Sequence, residues 1–252
     1  MTAARTTRLP IFRLVLRTQV TAPRVAALGA LGAVGVVVGF ALGAAADGGM
    51  AIEGKAVVPA DVLAGARFVN TFGLSLLAPV TALVFAAASL GDMDEDGTLV
   101  YLWLRPVRRS RIVLAAFSAS FVVSWPIVVV PLAIAAAATR AGPELVVGAV
   151  AAATVALVAY SAIFCALGLV TKRSLVWGLL YIFIWEGFVA TAADSAARLA
   201  VRTYARSLLG DVSGLRLAGT YIETAAVWIV PVTVAVLALE FATWRLSRRD
   251  IA

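Results

Sequence analysis

The chain has 252 residues, 62% of them apolar and 14% charged, with a mean hydropathy of +0.99; soluble chains run roughly 45–50% apolar and about 25% charged. An ordinary soluble domain is therefore excluded, and at about 20 residues per membrane span the length suits six helices with modest loops. The lone Cys165 excludes an internal disulfide framework, and the lack of histidine excludes His-based acid–base catalysis and His-ligated zinc. In a membrane chain a net charge of +7 reads as basic loops beside an anionic surface, not as a nucleic-acid footprint.

Residues 1–24 form a basic arm. Within it, Arg8–Val20 interleaves Leu9, Ile11, Phe12, Leu14, Val15, Leu16 and Val20 with Arg13 and Arg17. That run is too short and too charged to span, and it predicts an amphipathic helix lying in the membrane interface, with Pro10 in its first turn. Five spans follow within 25–193, at Val25–Ala46, Phe68–Leu90, Ile112–Ala138, Leu145–Val170 and Leu175–Ala193. A sixth, Thr224–Trp244, falls within 224–246, ahead of a short tail at 247–252. All are predicted as helices, because a lone strand in lipid leaves its N–H and C=O groups unpaired, and the alternation of a β-barrel is missing. The class is thus an all-α polytopic membrane protein, a single transmembrane domain over 1–252.

The apolar core of the first span exceeds the roughly 7–15 residues of a signal-peptide core, which predicts a retained helix. Gly35, Gly39 and Gly43 recur every four residues along it and predict a small-residue packing face. Pro79, Pro126, Pro131 and Pro231 each remove a helix donor and predict kinks. Glu186 is the only acid well inside an apolar span; it is expected to face the bundle or a cavity, with a contact on a transport pathway and a structural hydrogen bond both open as its role. The segment 194–223 repeats Arg198, Arg202 and Arg206 beside Leu199, Val201, Tyr204, Leu208 and Leu209, and predicts a helix lying at the outer leaflet.

Orientation follows from the Lys/Arg distribution. Fourteen lie on one face: Arg5, Arg8, Arg13, Arg17 and Arg24 in the arm, Arg105, Arg108, Arg109 and Arg111 in the second loop, Lys172 and Arg173 in the fourth, and Arg245, Arg248 and Arg249 in the tail. Seven lie on the other, four of them in the longer loop 194–223, where charge counts least. Both termini are therefore expected in the cytoplasm. With 19 Arg against 2 Lys and abundant Ala and Val, the composition is consistent with a GC-rich bacterium, hence the plasma membrane.

The loop 92–111 is the most informative stretch. Asp92, Asp94, Glu95 and Asp96 precede Gly97 and Thr98, then the apolar run Leu99–Leu104, then Arg105, Pro106, Arg108, Arg109 and Arg111. Asp92, Asp94, Asp96 and Gly97 match the opening of an EF-hand loop, but the bidentate twelfth position is Trp103, which argues against calcium. Residues 96–104 predict a short helix that Asp96 can cap and that is apolar all round. Such a helix needs a place to bury itself: the membrane interface, or a groove on a cytoplasmic partner with Tyr101 or Trp103 as anchor.

The order acid–Gly97-Thr98-Leu99–apolar–Arg105-Pro106-Val107-x-Arg109, between spans two and three of six, resembles the permease subunits of ABC-2-type transporters. About twenty residues carry the match closely; the remainder agrees in layout. The resemblance implies that Asp94, Glu95, Asp96, Gly97, Thr98, Leu99, Leu102, Trp103, Arg105, Pro106 and Arg109 form a cytoplasmic coupling helix seated on a separate ABC ATPase subunit. It further implies a second permease copy or sister permease, membrane lipids as surroundings, and re-entrant helices in the outer segment. No G-x-x-x-x-G-K-[ST] occurs, since Gly168–Ser174 lacks the second glycine and the Lys-[ST] pair, so ATP and Mg2+ belong to the partner and this chain is expected to bind no cofactor or metal and to catalyse nothing. Two alternatives remain: a lipid-modifying membrane enzyme, weakened because no acid follows Asp96 until Glu144, and a passive channel or secondary transporter, which leaves the loop without a role. Cargo is open among drug, lipid, peptide and ion.

Overall fold

A computed structural model describes residues 9–45, 49–53, 56–95, 107–215 and 217–248. The protein is predominantly helical, and six helices are long and apolar enough to cross a membrane: Ala22–Ala44, Ala60–Met93, Arg109–Ala138, Pro143–Val170, Ser174–Ala192 and Ala225–Ser247. They are the first to sixth spans below. A helix at Leu9–Gln19 precedes them, and a helix at Val201–Ser213 (the outer helix, after its expected side) lies between the fifth and sixth. One element departs from the all-helical expectation. Met50–Glu53 and Ala56–Pro59 pair antiparallel, Ile52 opposite Val57 and Ala51 opposite Val58, where β-branched residues favour an extended pair.

The second and fourth spans form the centre. Val69, Leu74, Leu77, Phe85, Tyr160, Phe164 and Leu169 are fully enclosed there, whereas the first, fifth and sixth spans expose Phe40, Phe183, Phe188, Ile229, Leu237 and Phe241. Small residues set this order. A side chain on Gly168 would approach the Ala87 carbonyl oxygen to 2.5 Å, so the two central helices touch backbone to backbone. In water such exposure would be a liability; in a bilayer, lipid tails are as apolar as the residues that face them, and close packing of small residues replaces the hydrophobic drive between helices.

The glycine stripe of the first span is used within the chain. Leu28, Gly32, Gly35, Gly39 and Gly43 are its buried residues. A Cβ on Gly39 would meet the Ala135 carbonyl oxygen at 2.6 Å, one on Gly43 would strike the Ala138 carbonyl, and one on Gly35 would enter the Phe72 ring. The third span therefore lies directly against this face.

The second span begins at Ala60, eight residues before the expected Phe68. Asp61 and Arg67 lowered the local hydropathy, yet nothing there breaks a helix, and Asp61 bonds the Val62 N–H at 2.8 Å in its first turn. Pro126 and Pro131 sit inside one uninterrupted helix, and so does Pro231.

At the end bearing the basic segments, three contacts tie the chain together. Val15 of the N-terminal helix is enclosed, with Arg13, Leu14 and Arg17 exposed, so this helix is docked onto the bundle by one face. Gln19 Nε2 donates to Ser120 Oγ of the third span at 3.0 Å, and Arg24 pairs with Asp92 across 2.8 Å, joining the start of the first span to the end of the second.

Candidate functional site

Two π-helical stretches interrupt the spans: Val69–Leu77 in the second and Tyr181–Val189 in the fifth. In each, the closing N–H reaches back five residues, from Ala78 to the Gly73 carbonyl and from Ala190 to Trp185. Such stretches are rare and concentrate at functional sites. The first ends just before Pro79, which has no N–H to continue the α-ladder. The second has no proline, and its cause lies in what Glu186 holds.

Glu186 is 2% exposed. The i, i+5 spacing of the widened turn stacks Tyr181 on it, and Tyr181 Oη donates to Glu186 Oε1 at 3.0 Å. Tyr160 Oη of the fourth span donates to Oε2. The backbone N–H of Val201, the first residue of the outer helix, donates to Oε1 at 3.1 Å. All three are donors to the carboxylate, and the charge of Arg202 acts on it through space. A buried acid is thus satisfied by three different parts of the chain, which is what makes its burial tolerable. The Val201 contact also supplies one of the otherwise unpaired N–H groups at a helix start.

Arg202 continues the cluster: its Nη1 donates to Ser75 Oγ at 3.4 Å, and Ser75 Oγ donates to the Asn70 carbonyl at 2.8 Å, five residues earlier within the other π stretch. Two bonded groups, Asn70–Ser75–Arg202 and Tyr160–Glu186–Tyr181 with the Val201 N–H, are thus brought together at the adjacent residues Val201 and Arg202, linking the second, fourth and fifth spans to the outer helix.

The outer segment contains a helix, as expected, and one face of it is buried. Its helix starts only at Val201, leaving Arg198 in the preceding turn, and Val201, Tyr204, Ala205, Leu208 and Leu209 are buried against the bundle. The three arginines are not one stripe. Arg198 is exposed, Arg202 enters the cluster, and Arg206 donates to the carbonyls of Ala218 (3.2 Å) and Thr220 (2.7 Å) of the returning chain. Burial, reinforced by the positive charge of Arg202, pulls the Arg206 pKa downward. Thr220 in turn donates to Asp194 at 2.5 Å, and Tyr221 to the Ser207 carbonyl at 3.1 Å. This staples the outer helix on both sides, and Gly214 (φ +71°) ends it in the left-handed conformation that glycine adopts freely.

Among the residues singled out from sequence, Gly35, Gly39 and Gly43 face the third span and Phe72, and Glu186 lies at the centre of the cluster. Arg109 opens the third span. Asp94 and Glu95 close the second-span helix, but their side chains lie outside the described residues. So do Asp96, Gly97, Thr98, Leu99, Leu102, Trp103, Arg105 and Pro106. The loop and the cluster are separate: Ser75 precedes Asp92 by 17 residues, about 25 Å of helix. Tyr160, Tyr181 and Ser75 went unrecognised in the sequence, and Arg202 was read only as part of an arginine stripe on the outer helix. A tyrosine hydroxyl in mid-span was the available signal for Tyr160.

No protein-family model matches the chain, and a search of curated proteins finds no match.

Proposed function

We propose that the chain is the membrane-spanning permease subunit of an ATP-driven exporter, similar to ABC-2-type permeases, with ATP and Mg2+ bound on a separate ATPase subunit. The observation that carries this reading is the acid–apolar–basic segment between the second and third spans, whose flanks are braced. Asp92, at its start, is held by Arg24, and the helix that follows it is held by the N-terminal helix through Gln19 and Ser120. A force applied at residues 96–106 would therefore reach two spans whose near ends are braced, at Asp92 by Arg24 and at Ser120 by Gln19. The second span leads from Asp92 to Ser75, and Ser75 leads through Arg202 to the outer helix. ATP-driven approach of two motor subunits would displace this segment, tilt the second span and shift the outer helix, opening a path on the far side. In this reading both termini are cytoplasmic, the membrane is a bacterial plasma membrane, and the permease works as a pair.

The assignment predicts an ABC ATPase encoded in a neighbouring reading frame, and co-expression with such an ATPase tests it. The purified chain alone hydrolyses no ATP, and the ATPase co-purifies with it. Leu102→Asp combined with Trp103→Asp abolishes co-purification while membrane insertion is retained. Undiminished binding by that double variant, or labelling that puts Trp103 on the outer face, overturns the proposal.

A further inference from the structure

Beside the polar cluster, the fourth and fifth spans separate into an apolar groove of about 280 Å3, open to the side and lined by Phe164, Leu167 and Val170 on one wall and Trp177 and Tyr181 on the other. Its floor is rigid: the Phe164 ring stacks on Tyr160 with centroids 5.9 Å apart and meets Tyr181 edge-on at 6.1 Å. At one end the groove reaches the tight connection between the two spans. Thr171 lines that end, and Lys172 and Arg173 follow it, both exposed. From Phe164 to Thr171 the fourth helix rises about 10 Å, within the roughly 15 Å that one leaflet contributes to a hydrocarbon core of about 30 Å.

We propose that this groove is a binding site for one anionic phospholipid, with an acyl chain lying between Leu167 and Trp177 and the phosphate held by Lys172 and Arg173. Three properties point to a lipid of this charge. The walls are almost wholly apolar and open sideways, as an acyl chain entering from the bilayer requires. The depth matches a single leaflet. Two adjacent cations stand at the end where a headgroup lies, and Lys/Arg clusters at the membrane surface select anionic lipids. The chain end would rest on Tyr181, whose hydroxyl is one of the donors to Glu186, so occupancy would brace the polar cluster from one side. The inference depends on the membrane-spanning character of the chain and not on the exporter reading.

The test uses the full-length chain in nanodiscs of equimolar phosphatidylglycerol and phosphatidylcholine, followed by native mass spectrometry of the lipid retained after extraction. The wild-type chain retains phosphatidylglycerol preferentially. Lys172→Ala with Arg173→Ala lowers that retention about twenty-five-fold, taking about fivefold for each cation near the interface. Val170→Trp fills the groove from its exposed rim, without touching the enclosed core, and also displaces the lipid. Equal retention of both lipids by the wild-type chain overturns the proposal, and so does retention that survives either variant. Loss in the Lys172/Arg173 variant alone means headgroups on a basic surface with nothing in the groove. Unchanged lipid together with a smaller particle in Val170→Trp means that a second copy of the chain covers the groove, which equally overturns it.

Discussion

The two π-helical stretches look alike in the backbone and differ in what holds them. Val69–Leu77 is packed on most sides: Val69, Gly73, Leu74 and Leu77 are buried, Phe68 stacks on Phe72 at 5.3 Å, and Pro79 follows directly. Tyr181–Val189 buries only Ile182 and Glu186 and turns Phe183, Ile184 and Phe188 outward. The first can be traced to a local covalent fact, a missing N–H, supported by close packing. The second exists because a carboxylate inside an apolar span must collect donors from the fourth span, from its own helix and from the outer helix. The same backbone irregularity therefore accompanies a proline and close packing in one place and a buried carboxylate in the other.

Removing the polar anchor is the sharpest way to break that comparison. Glu186→Ala leaves the Tyr160 and Tyr181 hydroxyls and the Val201 N–H without their acceptor and Arg202 without a nearby negative charge. A loss of about 3 kcal/mol is expected, combining several interhelical bonds with the cost of orphaned donors. Thermal unfolding in detergent measures it, and Glu186→Gln, which keeps an acceptor oxygen, recovers about half. A Glu186→Ala chain as stable as the wild type would mean that packing alone maintains the fifth-span stretch.

The corresponding attack on the second span is steric. A Cβ at position 73 would lie 2.5 Å from Leu132 Cδ1, and Leu132 is enclosed. Gly73→Val should therefore cost about 2 kcal/mol through overpacking, read by the same melting experiment. Tolerance of valine there would show that the third span can withdraw and that the interface is loose.

The smallest effect is expected from Ser75→Ala. It deletes a single long bond to Arg202 and one to the Asn70 carbonyl, so the loss should stay below about 1 kcal/mol. If Ser75→Ala were to match Glu186→Ala, the second stretch would also be polar in origin and the contrast would disappear.

Parts of this site were legible in the sequence. Glu186 stands out because an acid in an apolar span is costly wherever it points, and Gly35, Gly39 and Gly43 stand out because their period is that of a helix face. Arg202 was misleading: its four-residue spacing with Arg198 and Arg206 describes one stripe, yet the helix begins between Arg198 and Arg202, and the three residues have different surroundings. Tyr181 was invisible for a geometric reason, since an i, i+5 pair shares a face in a π-helix and not in an α-helix. Tyr160 and Ser75 could be found only by knowing which spans touch.

What the sequence determined by itself is the membrane class, the six helices and most of their limits, because burial of backbone groups in hydrocarbon is a local demand met within each apolar run. Only the tertiary structure decided which spans are central, where the α-ladder widens and which groups satisfy Glu186. Those outcomes depend on contacts between residues far apart in the chain, which no local period of hydropathy can encode.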